Sequence, residues 1–267
     1  MINSIISDSD FENIRNLLRQ HSGINLSDTK KSLVTSRLSK RLREIELSSY
    51  SEYINLLNNN THRDEMQVAI DLLTTNETYF FRESPHFDFI ENYIKTIINK
   101  GSIRIWSAAC SSGQEAYTIA MILHEYLGKY SWHVVASDIC TKSLCEAKRG
   151  IYPLSQASKI PSEYLKKYCL KGVDKFTGSF TVNPLIKKNI DFMHVNLVGE
   201  YNITQRFDFI FLRNIMIYFD LNTKKKVVNK LKTFLKPNGY LIIGHSESLM
   251  NISNDFHMVS PSIFRLK

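Results

Sequence analysis

Residues 8 to about 72 carry apolar positions at helical spacing, with no proline and Gly23 as the one glycine. Phe11, Ile14, Leu17 and Leu18 share one face of a helix that Asp8 or Ser9 can cap. A second stripe, Val34, Leu38, Leu42 and Ile45, predicts a helix starting near Ser27 or Asp28, and further helices are expected over 50–57 and 63–73. From Ile103 the rhythm changes. Short apolar runs at 103–108, 133–138 and 207–212 read as strands, and each is followed by a helical pattern, at 114–127, 141–148 and 221–235. Pro237-Asn-Gly239 predicts a turn into a last strand at 240–244. Strands alternating with helices imply a mostly parallel sheet, so the fold class is α/β with a small all-helical domain in front. The expected units are residues 1–73, a linker at 74–102, and an α/β domain at 103–267. Residues 151–190 interrupt the alternation, and 176–182, with Gly178, suggest a small antiparallel β insertion near 170–190.

Composition narrows the function classes. Apolar residues make up 43% of the 267-residue chain, enough for a sizeable core. The net charge of +8 turns attention to anionic partners. No uninterrupted apolar run approaches the ~18 residues of a membrane span, and the first residues lack the basic and apolar regions of a signal peptide. Cys110, Cys140, Cys145 and Cys169 show no C-x-x-C spacing and no adjacent histidine cluster. A disulfide scaffold and a structural zinc site are therefore not expected, and a reducing cytoplasm fits.

The first predicted strand runs into Ala108-Ala-Cys-Ser-Ser-Gly113-Gln-Glu115, small residues that open a helix. Such a turn lets a nucleotide-like ligand approach the backbone and the free N–H groups of the helix. It lacks the glycine spacing of dinucleotide sites and the Gly-Lys-Ser/Thr ending of triphosphate loops. Glu115 would repel a pyrophosphate and attract a cationic ligand. Asp138 ends the second strand, where a carboxylate can accept ribose hydroxyls. Taken singly, an ordinary strand–helix turn accounts for the first feature and a helix cap at Thr141 for the second. Together they favour an adenosine with a cationic, phosphate-free appendage, S-adenosylmethionine.

Thr74-Thr-Asn-Glu-Thr-Tyr-Phe-Phe-Arg82-Glu is too polar at one end and too aromatic at the other for a plain linker. Arg213-Asn-Ile-Met-Ile-Tyr218-Phe-Asp220 follows an apolar strand, at the sheet edge where open α/β folds bind ligands. With the Ala109–Glu115 turn and Gly244-His-Ser-Glu247, this set resembles the CheR-type chemotaxis receptor methyltransferases over essentially the whole chain. The resemblance implies a helical N-terminal domain, a Rossmann-like S-adenosylmethionine-dependent methyltransferase domain and a β insertion. It also implies methylation of glutamate side chains on the cytoplasmic helices of bacterial chemoreceptors. Cofactor contacts would fall on Asn76, Thr78, Arg82, Glu115, Asp138, Asn196, Leu197, Arg213 and Asn214. Gln114 and Ala116 depart from the family, which commonly has Glu and Pro there.

A glutamate nucleophile is ionised at neutral pH, with a pKa of ~4.3, so no general base is required. His86, His124, His194 and His245 are accordingly read as structural or surface residues. Arg82 and Tyr218 are the candidates at the reaction centre, Arg82 to orient a carboxylate and Tyr218 to line the methyl channel. Between Thr29 and Arg43 stand six basic residues and no acidic one. Arg37 and Arg41, a turn apart, are the candidates for docking an acidic receptor helix. A monomer with no nucleic-acid partner and no membrane insertion is expected. The competing readings are a nucleic-acid methyltransferase and a non-catalytic S-adenosylmethionine-binding regulator. Against the first, the strand at 207–212 leads into Arg-Asn-Ile-Met rather than Asn/Asp-Pro-Pro-Tyr, and no Pro-Cys pair is present.

Overall fold

The computed structural model describes residues 6–59, 63–97, 102–128 and 132–267. Four helices lead: α1 (Asp8–Ser22), α2 (Lys31–Glu44), α3 (Tyr50–Asn58) and α4 (Arg63–Leu73). The cap of α1 is Ser7, whose hydroxyl accepts the Asp10 N–H at 3.0 Å, rather than Asp8 or Ser9. A single 3₁₀ turn at Asp28–Lys30 precedes α2, so that helix proper starts later than its apolar stripe suggests. The stretch expected as a linker contains a full helix, α5 (Pro85–Ile97), with Pro85 in its first turn and Phe87, Ile90 and Ile94 buried.

The chain then alternates through β1 (Ile103–Ala108), α6 (Gln114–Leu127), β2 (Trp132–Asp138) and α7 (Thr141–Arg149). A small sheet follows, built from β3 (Ile151–Pro153), β4 (Cys169–Lys171) after α8 (Ser162–Tyr168), and β5 (Ser179–Val182). Its order is β3-β5-β4, all antiparallel. The insertion therefore begins well before residue 170. It has three strands instead of a lone hairpin, because Ile151–Pro153 pairs back onto β5.

After α9 (Pro184–Lys187) come β6 (Ile190–His194), β7 (Phe207–Leu212), α10 (Leu221–Lys232), β8 (Leu235–Ile243), β9 (Phe256–Ser260) and β10 (Ile263–Leu266). The main sheet has the order β6-β2-β1-β7-β8-β10-β9, parallel through β8 and antiparallel at β10 and β9. Pro237-Asn-Gly239, expected as a turn, lies within β8 as an irregularity. Phe207 pairs with Leu235 but Phe209 with Tyr240, and Asn238 adopts φ 61° to absorb the extra residues.

One sheet face, with Phe209, Phe211 and Ile105, packs against α5 and α6 in one apolar cluster. Trp106, Ile210 and Leu212 on the other face join Val228 of α10 and Leu18, Val34 and Ile70 of the leading helices in a second cluster. The leading helices thus share a core with the sheet. Because β1 has β2 on one side and β7 on the other, consecutive crossovers diverge at its carboxyl end and open a crevice there.

Candidate active site

That crevice is a cavity of about 270 Å³. Its lining comes from the loop after α1, from α2, from the 74–82 segment, from the ends of β1 and β2, and from the loop after β7. Beyond β1 the backbone is forced into unusual conformations: Ala109 has φ 151° and Ser111 φ 50°, though neither is glycine. Each such residue costs of order 1–3 kcal/mol and is held only by its surroundings. Here the Ser111 N–H donates to Asp138 Oδ2 at 2.7 Å, and its hydroxyl donates to the Asn76 carbonyl at 3.0 Å. Gly113, at φ 96°, opens α6. A Cβ there would stand 2.8 Å from that of Ala147, so only glycine lets α6 start against α7.

Asp138 is almost fully buried and lines the cavity. Its oxygens accept the Ser111 and Cys140 N–H groups, at 2.7 and 2.8 Å. Burial raises its pKa above the usual carboxylate value in spite of those bonds, which act the other way. Each oxygen keeps acceptor capacity for a second donor, the requirement for a ribose diol.

Glu115 Oε1 accepts the Ser107 hydroxyl at 2.6 Å and Oε2 accepts Arg213 Nη1 at 2.9 Å. Arg213 Nη2 reaches Glu83 Oε2 at 3.0 Å and also donates to the Arg82 carbonyl, while its guanidinium lies over the Phe87 ring. Only 2% of the Arg213 side chain is exposed, so these are strong, largely unscreened contacts. Burial opposes ionisation of Glu83, but Arg213, the Asn214 amide and the His245 N–H outweigh it and hold its pKa low. Two carboxylates around one guanidinium leave a net negative charge beside the cavity, which suits a cationic ligand and fits the sulfonium and ammonium of S-adenosylmethionine.

Of the residues singled out from the sequence, Asn76, Thr78, Arg82, Glu115, Asp138, Arg213, Asn214 and Tyr218 line this one cavity. Asn196 and Leu197 line an adjoining recess of about 30 Å³ that shares Asp138, Ala109 and Ile215 with it. Arg82 Nη1 donates to the Glu77 carbonyl at 2.9 Å, and its guanidinium stands 5.7 Å from the Tyr79 ring centre. Among the described residues no histidine lines the cavity.

Arg37 and Arg41 lie elsewhere and are engaged internally. Arg37 Nη1 donates to the carbonyls of Leu72 and Thr74, at 2.8 and 2.7 Å, and so closes the end of α4. Arg41 makes a two-point contact with Glu65, at 3.0 and 2.6 Å, which also accepts the Tyr53 hydroxyl. The two residues proposed to grip a receptor thus also tie the helical layer together, Arg37 through one nitrogen and Arg41 through its fork. Lys30, Lys40 and Arg43 are the exposed cations of the same run, and Lys30 lines the cavity.

Two residues with evident work had no role assigned from sequence. Glu83 clamps Arg213. Glu247 accepts the backbone N–H groups of Gly244, Asn214 and Met216, at 2.7, 3.0 and 2.8 Å, and so fixes the loop after β7. Both stood inside the quoted motifs, directly after Arg82 and at the end of Gly-His-Ser-Glu, which was the available signal. His86 is fully buried, and neither ring nitrogen has a hydrogen-bond partner among the described residues.

Residues 9–74 match the family model described as CheR methyltransferase, all-alpha domain, and residues 76–264 match that described as CheR methyltransferase, SAM binding domain. The chain is 38% identical over 264 residues to the chemotaxis protein methyltransferase of Escherichia coli (strain K12), covering 98% of this chain and 92% of that one. It is 39% identical over 277 residues to the chemotaxis protein methyltransferase of Borreliella burgdorferi, with 99% and 96% covered. Chemotaxis protein methyltransferase 2 of Pseudomonas aeruginosa is 36% identical over 263 residues, with 96% and 92% covered.

Proposed function

The chain belongs to the CheR family of S-adenosylmethionine-dependent chemotaxis methyltransferases, and from that premise we propose that it methylates glutamate side chains on the cytoplasmic helices of bacterial chemoreceptors. The observation that carries this reading is the joint lining of one cavity by Glu115, Asp138 and Arg213, which suit the cofactor, and by Arg82 and Tyr218, which suit a carboxylate substrate.

Asp138 would hold the ribose hydroxyls, Glu115 the ammonium, and Asn196 and Leu197 the base in the adjoining recess. When bound, S-adenosylmethionine supplies a sulfonium methyl group that passes to a carboxylate oxygen, leaving a neutral thioether and a methyl ester with no proton transferred. The chain's own task is therefore positioning and exclusion of water. Arg82 offers a planar fork to the incoming carboxylate, anchored at one end by the Glu77 carbonyl. Tyr218 is half-buried at the same wall, and its backbone carbonyl accepts the Asn25 N–H at 2.8 Å, which fixes it to the loop after α1.

The test is methyl transfer from tritiated S-adenosylmethionine to a receptor cytoplasmic fragment and, in parallel, to RNA. Label on the receptor that is released as methanol by mild base supports the reading. Label on RNA, or none on either, overturns it in favour of a nucleic-acid enzyme or a non-catalytic binder. The same reading places the protein in the cytoplasm, and among the described residues no helix is long and apolar enough to cross a membrane.

A further inference from the structure

Glu83 is the meeting point of two histidines from distant parts of the chain. His86 sits in the first turn of α5, and its Nδ1 lies 3.6 Å from Glu83 Oε2. His245 follows β8, and its ring stands edge-on to that of His86 with centroids 4.8 Å apart. One carboxylate oxygen and one nitrogen from each imidazole all fall within 4.8 Å of one another.

The burial of the three is graded. His86 is fully buried, the Glu83 side chain is 15% exposed, and His245 is exposed to solvent. Burial and the nearby Arg213 push the His86 pKa down to about 3, so its ring is neutral at pH 7 and one nitrogen carries a lone pair. No donor among the described residues faces that lone pair. A dry imidazole lone pair, a carboxylate and a second imidazole reachable from solvent make up the two-histidine, one-carboxylate ligand set that zinc takes with an open fourth position. Around tetrahedral zinc, donors at ~2.0–2.1 Å stand roughly 3.3–3.5 Å apart. The His86–Glu83 pair, at 3.6 Å, is already close to that spacing, and His245 is the exposed member free to adjust.

We propose that Glu83, His86 and His245 form a zinc site, and that its occupation opposes cofactor binding. The antagonism follows from Glu83 Oε2, which is also the partner of Arg213 Nη2. A cation that takes this oxygen repels Arg213 and drives its guanidinium onto Glu115, its other partner. Glu115 is then neutralised where the cofactor's ammonium needs it charged. By linkage, the cofactor weakens zinc by the same factor.

The experiment uses the full chain in a Cys145→Ser background, because Cys145 is an exposed thiol. Zn²⁺ is titrated against a chromophoric chelator, and Co²⁺ substitution is read by its visible absorption. The expected result is a single tight site with a tetrahedral cobalt spectrum. His245→Ala, an exposed position, should weaken it roughly tenfold or more. His86→Asn, checked for folding by circular dichroism, should act likewise. In calorimetry, saturating Zn²⁺ should weaken S-adenosylhomocysteine several-fold in the parent and not in His245→Ala. Equal zinc affinity in the parent and His245→Ala overturns the site. Tight zinc binding that leaves S-adenosylhomocysteine affinity unchanged overturns the antagonism. Neither readout requires methyl transfer, so the outcome is separate from the fate of the proposed reaction.

Discussion

Asp71 and Thr141 join the helical layer to the sheet. Asp71, in the last turn of α4, accepts the Thr141 N–H at 2.9 Å and the Thr141 hydroxyl as well, and so caps α7 just beyond Asp138. A carboxylate at a helix N-terminus both satisfies free N–H groups and meets the positive end of the helix dipole. Asp71→Ala should therefore lower stability by about 1–2 kcal/mol, measured by urea unfolding. An unchanged midpoint would remove this cap from the account.

Asp138 sets a second expectation. Asp138→Ala should cost S-adenosylhomocysteine about 1–3 kcal/mol of affinity, through loss of paired hydroxyl contacts. The raised pKa of Asp138 adds a pH signature with a definite sign. The ionised form accepts the hydroxyls, so affinity is full above that pKa and falls as pH drops through it. The fall begins higher than the ordinary carboxylate value of 3.8 would allow. In Asp138→Asn this component of the pH profile should vanish. Calorimetry across pH values checks both points, and a parallel profile in the variant would assign the titration to another group.

The absence of a base in the proposed reaction predicts a single-turnover rate nearly flat from about pH 6 to 8, since the substrate carboxylate titrates near ~4.3. Replacing His124, His194 or His245 with Ala should not bring the roughly 10²–10⁴-fold loss of a missing acid–base catalyst. Arg82→Ala and Tyr218→Phe should slow the chemical step, and Arg82→Lys should rescue poorly because an ammonium lacks the planar fork. A steep rise between pH 6 and 8, abolished by one histidine change, would refute the mechanism.

Receptor docking now separates two groups of cations in the same run. Arg41→Glu should destabilise the protein by about 1–3 kcal/mol, because it replaces the two-point contact with the nearly buried Glu65 by a second carboxylate facing it. Reversal of the exposed Lys40 and Arg43 to Glu should leave unfolding unchanged and slow methylation at subsaturating receptor. The parent rate should also fall with salt, since exposed charges are screened over ~8–10 Å. Equal methylation rates in Lys40→Glu/Arg43→Glu and the parent would move recognition off this helix.

What was legible in the sequence follows physical lines. α6 and β7 were readable to the residue, because each carries a run of mostly buried apolar residues with an abrupt change at both ends. α5 was hidden by the polar and aromatic motif just before it, although Pro85 marks its start. β9 escaped because an edge strand half in solvent carries little alternation, with Met258 and Val259 both exposed, and β10, though paired on both sides, is four residues long with only Ile263 buried. Glu115 and Asp138, proposed for the cofactor, could be singled out because a nucleotide-like ligand makes a chemical demand where β1 and β2 end, whereas the other residues proposed for it came from the resemblance. The internal partners of Arg37 and Arg41 were not readable for the opposite reason, since a charge run shows its cations but not the carbonyls at 72 and 74 or Glu65 that they meet. Glu83 and Glu247 could be seen as letters, yet their work depends on meeting residues around 213, far away in the chain.

Ile24, Leu26 and Leu33 of the helical layer line the same cavity as Asp138 and Arg213 of the sheet layer. Whatever fills that space touches both at once and acts as mortar between them. The methyl donor is thereby also a structural tenant. Its arrival should slow amide exchange along α1 and α2 and raise the melting temperature in step with the logarithm of its concentration. A cell short of S-adenosylmethionine would then hold a protein that is looser and more readily degraded, so that supply of the donor governs how long the enzyme lasts as well as how fast it works.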